Sequence, residues 1–125
     1  MEKLIKPIIE KAKKDKEVLA IALFGSYARN EPYRDIDICI FLNKKISNLE
    51  MSKKKIDYLT IAKKNQDIQI FQQLPLYIRI RVLKDAKILY CKNEDALYEL
   101  AFSTIKEFNL YEKVYELCIG NVKNG

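Results

Sequence analysis

Two aspartates one residue apart, Asp35 and Asp37, open the apolar segment 35–42 (DIDICIFL) and are the first residues in this 125-residue chain whose type and spacing could do chemistry. Successive side chains of an extended strand point to opposite faces, so Ile36, Ile38 and Ile40 share one face while Asp35, Asp37 and Cys39 share the other. Two carboxylates held that close repel. The ordinary remedy is a divalent cation, and Mg²⁺ suits hard oxygen ligands that also meet a polyphosphate. A third carboxylate, Asp67, opens a second alternating run, 67–71 (DIQIF). If that strand lies beside the first, Asp67 joins the pair and a second ion can be held. Two ions so placed activate an attacking hydroxyl, stabilise charge developing on phosphorus and help the leaving group depart. Gln69 is the neighbouring alternative to Asp67, but a neutral amide is a poorer Mg²⁺ ligand.

Upstream of the acids, the apolar run 18–24 (VLAIALF) ends in Gly25 and Ser26. Gly25 permits a sharp turn, and Ser26 can cap a short helix through Tyr27, Ala28 and Arg29. Free backbone N–H groups, the Ser26 hydroxyl and Arg29 together make a phosphate cradle. Alone, a Gly-Ser step after a strand is most often a tight turn with a helix cap; the acids that follow point to a phosphate site instead.

The rest of the composition agrees with carboxylate chemistry. The chain has no His, which excludes Ser-His-Asp and Cys-His nucleophiles, His-ligated zinc and His general bases. A net charge of +6 favours an anionic partner without choosing among nucleotide, nucleic acid and acidic protein. Cys39, Cys91 and Cys118 are odd in number, widely spaced and without a CxxC pair, so they read as reduced structural thiols. Cys39 reads as a small buried hydrophobe rather than a nucleophile. Lys3, Lys6, Pro7, Glu10 and Lys11 interrupt the N-terminal segment, and no stretch reaches the roughly 20 apolar residues of a membrane span. These features predict a soluble cytoplasmic protein without a membrane partner. The lysines at 53–55 and at 63 and 64 read as a solvated helix surface rather than a nucleic-acid patch.

The elements that must position the acids follow from periodicity. Helical spacing of Leu4, Ile5, Ile8, Ile9 and Ala12 predicts a helix over residues 3–14, with Pro7 tolerable only near the first turn. The run 18–24 suits a central strand covered on both faces. Ser47 and Glu50 form a capping box, with Ile46 and Met51 as a hydrophobic staple, for a helix over 48–64. Pro75 suits the first position of a short helix ending near Lys84, and residues 87–90 form an edge strand. Asn93 caps a final helix striped by Leu97, Leu100, Ala101, Thr104, Ile105 and Phe108. That helix either breaks near Asn109 or continues to Gly120. Unbroken, it would exceed about 35 Å, longer than the core needs, which makes its far end a candidate partner surface. The expected fold is α/β, in the stricter sense α+β: a single domain over 1–125, with a small mixed sheet flanked by helices, a core at about 18–90 and a C-terminal helical segment at 93–120.

The segment FGSYARNEPYRDIDICIF, with DIQIFQQLPLYIRIRVLKDAKILY after it, resembles the minimal nucleotidyltransferases (MNT) of the polymerase-beta-like superfamily, whose hallmark is strand, Gly-Ser, short helix, loop and Asp-x-Asp. The resemblance implies that Gly25 and Ser26 bind the nucleotide phosphates, with Arg29 near them. It implies that Asp35 and Asp37 are catalytic ligands of both Mg²⁺ ions, and that Asp67 is the third catalytic metal ligand, beside the attacking oxygen. It further implies transfer of AMP from ATP to a hydroxyl with release of pyrophosphate, and the antitoxin role of a two-gene module in which a tyrosine of a HEPN-domain ribonuclease toxin is adenylylated. Two features depart from the pattern: the stretch 27–34 is about two residues short, which bears on triphosphate reach, and Asn30 replaces a common Gly, a mild change because Asn tolerates the left-handed backbone. Alternatives keep the chemistry with a small molecule or an RNA end as acceptor in a homo- or hetero-oligomer, or keep only binding, as an antitoxin or nucleotide-binding protein.

Overall fold

The computed structural model describes the backbone of residues 2–25 and 35–124, and the side chains of residues 5–25 and 35–119. The elements are α1 (Glu2–Lys14), β1 (Val18–Phe24), β2 (Ile36–Leu42), α2 (Asn48–Leu59), β3 (Gln66–Ile70), α3 (Leu76–Asp85), β4 (Lys87–Cys91) and α4 (Glu94–Asn124), with a 3₁₀ turn at Phe71–Gln73. The four strands form one mixed sheet in the order β3-β2-β1-β4. β1 pairs antiparallel with both β2 and β4, while β2 and β3 run parallel. A parallel pair needs a crossover, and α2 supplies it.

The alternation expected of β2 sorts the core into two layers. On one face Ile36, Ile38, Ile40 and Leu42 pack with Ile21, Leu23, Ile68 and Ile70 beneath Ile5, Ile8 and Ala12 of α1 and Tyr58 of α2. On the other, Ala20, Ala22, Cys39 and Phe41 pack with Phe71 and Val82, joined by Ile78 of α3 and Leu97 and Leu100 of α4. Phe41 and Phe71 stack with ring centroids 4.5 Å apart, an aromatic pairing that adds to area burial. β1 is buried along nearly its whole length, as a central strand should be. The α/β architecture, a small mixed sheet flanked by helices, is as expected.

Several boundaries differ from the sequence reading. α1 begins one residue earlier than expected and, as expected, contains Pro7, which falls in its second turn. Ile5, Ile8 and Ala12 are fully buried against the sheet on both sides of the proline, and that packing outweighs one missing backbone bond. α2 stops at Leu59, five residues before the expected end. Thr60 Oγ1 donates to the Asp57 carbonyl (2.6 Å), and the Ile61 and Ala62 amides make tighter bonds to Tyr58 and Leu59 (3.2 and 3.3 Å). The chain then turns so that the Asn65 carbonyl can accept from Ile36 N–H (2.7 Å) and begin β3. Phe71 leaves the strand for the 3₁₀ turn, and Pro75 is the N-cap of α3 rather than its first residue. α4 continues unbroken past Asn109, at about 1.5 Å per residue a rod of about 46 Å.

The α2 lysines also need correcting. Lys54 is not solvated: its ammonium donates to Asp15 Oδ2 (2.8 Å) and pairs with Glu17 Oε1 (3.0 Å), with only 12% of the side chain exposed. Tyr58 Oη and the Glu17 amide also donate to Asp15 (3.1 and 3.0 Å). Burial pushes the Asp15 carboxyl up, but the Lys54 hydrogen bond, the Glu17 amide, the Lys54 charge and Tyr58 outweigh it and hold the group below its ordinary value.

Candidate functional site

β1 and β2 bring the candidate residues to one end of the sheet. Phe24, the last residue of β1, is the ladder partner of Asp37. Gly25 follows with φ +79, a left-handed backbone that favours glycine. A Cβ placed on Gly25 would overlap Asp37 Oδ2, so the missing side chain is the space the carboxylate occupies. The glycine therefore both turns the chain and admits the acid.

Parallel pairing of β2 with β3 sets Asp37 directly opposite Asp67. In-register residues of neighbouring strands lie about 4.8 Å apart and project to the same face. The two carboxylates accordingly stand side by side above Cys39, Phe41 and Phe71, on the face covered further along by α3 and α4. Asp35 sits one residue before β2 and is exposed, near enough for its charge to act on Asp37. Burial, then the charges of Asp67 and Asp35, hold the Asp37 carboxyl above its ordinary value. Among the described residues, no three acids or thiols already converge on a single cation position. The set is a registered pair with a flanking third acid. Its all-oxygen chemistry and its mutual repulsion fit a hard divalent cation.

Ser26 and Arg29, with the rest of 26–34, lie outside the described residues, so the phosphate cradle and the shortened stretch 27–34 are not placed. Cys39 is fully buried beneath the acids, and burial pushes its thiol well above the usual range, consistent with a packing role. Sequence reasoning missed the surroundings of Asp67. Gln69 Nε2 donates to Asp67 Oδ2 (3.0 Å), and Lys55 Nζ donates to Gln69 Oε1 (3.4 Å). The i, i+2 spacing of Asp67 and Gln69 was the available signal; the approach of Lys55 from α2 had none.

A groove of about 740 Å³ lies elsewhere, between the start of α3 and the far half of α4, lined by Leu76, Tyr77, Phe108, Tyr111 and Tyr115 with Glu112 and Glu116. Beyond it α4 exposes Leu110, Val114 and Leu117. Among the described residues no helix is long and apolar enough to cross a membrane.

Residues 6–95 match the family model described as polymerase beta, nucleotidyltransferase. The chain belongs to that family and is thereby classed as a nucleotidyltransferase. Over 76 residues it is 37% identical to "Putative protein adenylyltransferase MJ1547" of Methanocaldococcus jannaschii, a match covering 59% of this chain and 57% of the relative. It therefore spans less than two thirds of that relative's length. Among solved structures it is similar to a chain of the tri-AMPylated Shewanella oneidensis HEPN toxin in complex with MNT antitoxin, with TM-score 0.67, 19% identity, and 98% of this chain and 99% of that one covered. It is also similar to a chain of a toxin-antitoxin structure with AMP-PNP, with TM-score 0.64, 21% identity, and 94% and 98% covered. At such identities these two likenesses establish the shared fold.

Proposed function

We propose that this chain transfers AMP from ATP to a tyrosine hydroxyl of a HEPN-domain partner, and so acts as the antitoxin of a toxin-antitoxin pair. The acceptor hydroxyl gives up its proton to solvent, its oxygen bonds to the α-phosphorus as the bond to the bridging oxygen breaks, and pyrophosphate leaves. The observation that carries this reading is the registered Asp37–Asp67 pair beside Gly25 at the end of β1, in a polymerase-beta-family chain. Asp35 and Asp37 would hold the divalent ions and Asp67 would complete the set beside the acceptor. When bound, the ions neutralise charge on the triphosphate and favour the ionised acceptor. Gly25 keeps the strand end open to the phosphates, and Ser26 and Arg29 supply donors to them.

The relatives' names support the choice of nucleotide and acceptor: one names protein adenylylation, one AMP-PNP, and one an AMPylated HEPN toxin held by an MNT antitoxin. The exposed far half of α4 supports a partner protein, because an apolar surface of this extent commonly marks an interaction site. In this reading the core over 18–90 and the helical segment over 93–120 work as one unit, the first for chemistry and the second for holding the acceptor. The test is pyrophosphate release from ATP with Mg²⁺ and the HEPN-domain product of the neighbouring gene. Release that requires both proteins and stops in Asp37→Asn is expected; no release with any acceptor overturns the enzyme reading.

A further inference from the structure

The contacts of Asp67 carry an inference about how the acid is held, resting on the reading of Asp67 as part of the site. Asp67 and Gln69 lie on the same face of β3, and Gln69 pairs with Cys39 of β2, whose buried thiol offers little polar competition. The Gln69 amide has one donating end and one accepting end. A carboxylate only accepts and an ammonium only donates, so a single amide orientation satisfies both neighbours: Nε2 toward Asp67 and Oε1 toward Lys55. One carboxylate oxygen of Asp67, Oδ2, is tied by this bond, while Oδ1 has no hydrogen-bond partner among the described residues.

The order of the three groups matters chemically. An ammonium in direct contact with Asp67 would neutralise it and compete for the lone pairs a cation needs. Interposing a neutral amide fixes the carboxylate and keeps the positive charge one residue away. We propose that Gln69, backed by Lys55, is a positioning residue that holds Asp67 by Oδ2 so that Oδ1 stays available to a divalent cation. Hydrogen-bond partners behind metal-ligating groups commonly change metal affinity about 10- to 100-fold when removed.

The experiment titrates Mn²⁺ alone into the full chain and follows free Mn²⁺ by electron paramagnetic resonance, for the wild type and for Gln69→Met, Lys55→Met, the double variant and Asp67→Asn. Gln69→Met should weaken Mn²⁺ binding about 10-fold with an unchanged circular dichroism spectrum. Lys55→Met should weaken it about 3-fold, and by nothing further once Gln69 is replaced, because Lys55 acts through the amide. In the pyrophosphate assay kcat should fall in parallel while KM for ATP stays within about 2-fold. Should Gln69→Met fail to fold, the Lys55→Met result decides alone: affinity equal to the wild type overturns the role. Unchanged affinity in Gln69→Met beside weakened affinity in Asp67→Asn overturns the positioning role and leaves the proposed site standing. Unchanged affinity in both overturns the site and this role with it.

Discussion

At Gly25 one residue both turns the backbone and makes room for a carboxylate of the proposed site. Its left-handed φ would cost a side-chain-bearing residue about 1–2 kcal/mol, and its absent Cβ leaves room for Asp37 Oδ2. Gly25→Ala should therefore lower stability by at least about 1 kcal/mol in urea denaturation. It should reduce the rate of pyrophosphate release about 100-fold, because the displaced carboxylate no longer meets its partners; a rate within 2-fold of wild type would contradict this reading. The shared sheet face of Asp37 and Asp67 was legible in the sequence. Alternation fixed which face Asp37 and Asp67 take, and Cys39 was recognised as packing. The contact between Gly25 and Asp37 was not legible, because it depends on the space a missing side chain leaves to a residue of another strand. Nor was the amide of Gln69, whose neighbour Lys55 belongs to another element.

At the level of elements, α1, α2 and the turn into β1 are joined by the Lys54, Asp15, Glu17 and Tyr58 cluster. The sequence offered three consecutive lysines and no way to tell which turns inward. Met51, Lys54 and Tyr58 share an i, i+3, i+7 face, but the partner acids lie far back in the chain, at Asp15 and Glu17. Lys54→Met should destabilise the protein by about 1–3 kcal/mol at neutral pH, since it leaves a mostly buried carboxylate with only the neutral Tyr58 and Glu17 amide donors. The pH dependence follows from the two partners. Asp15 is held below its ordinary value of 3.8, so its contribution is present above that value and is lost as pH falls through the folded-state pKa. For Lys54, burial lowers the pKa, but bonds and charges from Asp15 and Glu17 outweigh it and raise the ammonium above 10.5. Its contribution is present below 10.5 and disappears as pH rises through the folded-state pKa. The stability difference between wild type and Lys54→Met, measured by denaturation, should be flat between about pH 5 and pH 10 and shrink on either side. Periodicity located the strands and helices; it missed the end of α2, which is set by the Thr60 bond to Asp57 and by the need to deliver Asn65 to Ile36, both outside any helical pattern.

Across the whole molecule, the proposed chemistry and the proposed partner surface fall at different places, the strand ends and the far half of α4. The helix is pinned to the core by Leu97, Leu100 and buried Thr104, and the Arg79–Glu107 ion pair (3.3 Å) is the next tie to α3. Removing residues 109–125 should therefore change stability by less than about 1 kcal/mol while abolishing capture of the proposed HEPN-domain partner in a pull-down. Retained capture would place the partner elsewhere. The absence of histidine, which excludes imidazole mechanisms, agrees with the proposed site of Asp35, Asp37 and Asp67. The most direct measurement of the central claim follows the nucleotide itself: ATP labelled at the α-phosphate, Mg²⁺, this chain and the proposed HEPN-domain partner, with the modified residue located by mass spectrometry. Label is expected as AMP on a partner tyrosine, lost in Asp35→Asn and Asp67→Asn variants that still fold. Neutralisation of the partner without label, or label that persists in those variants, would contradict it.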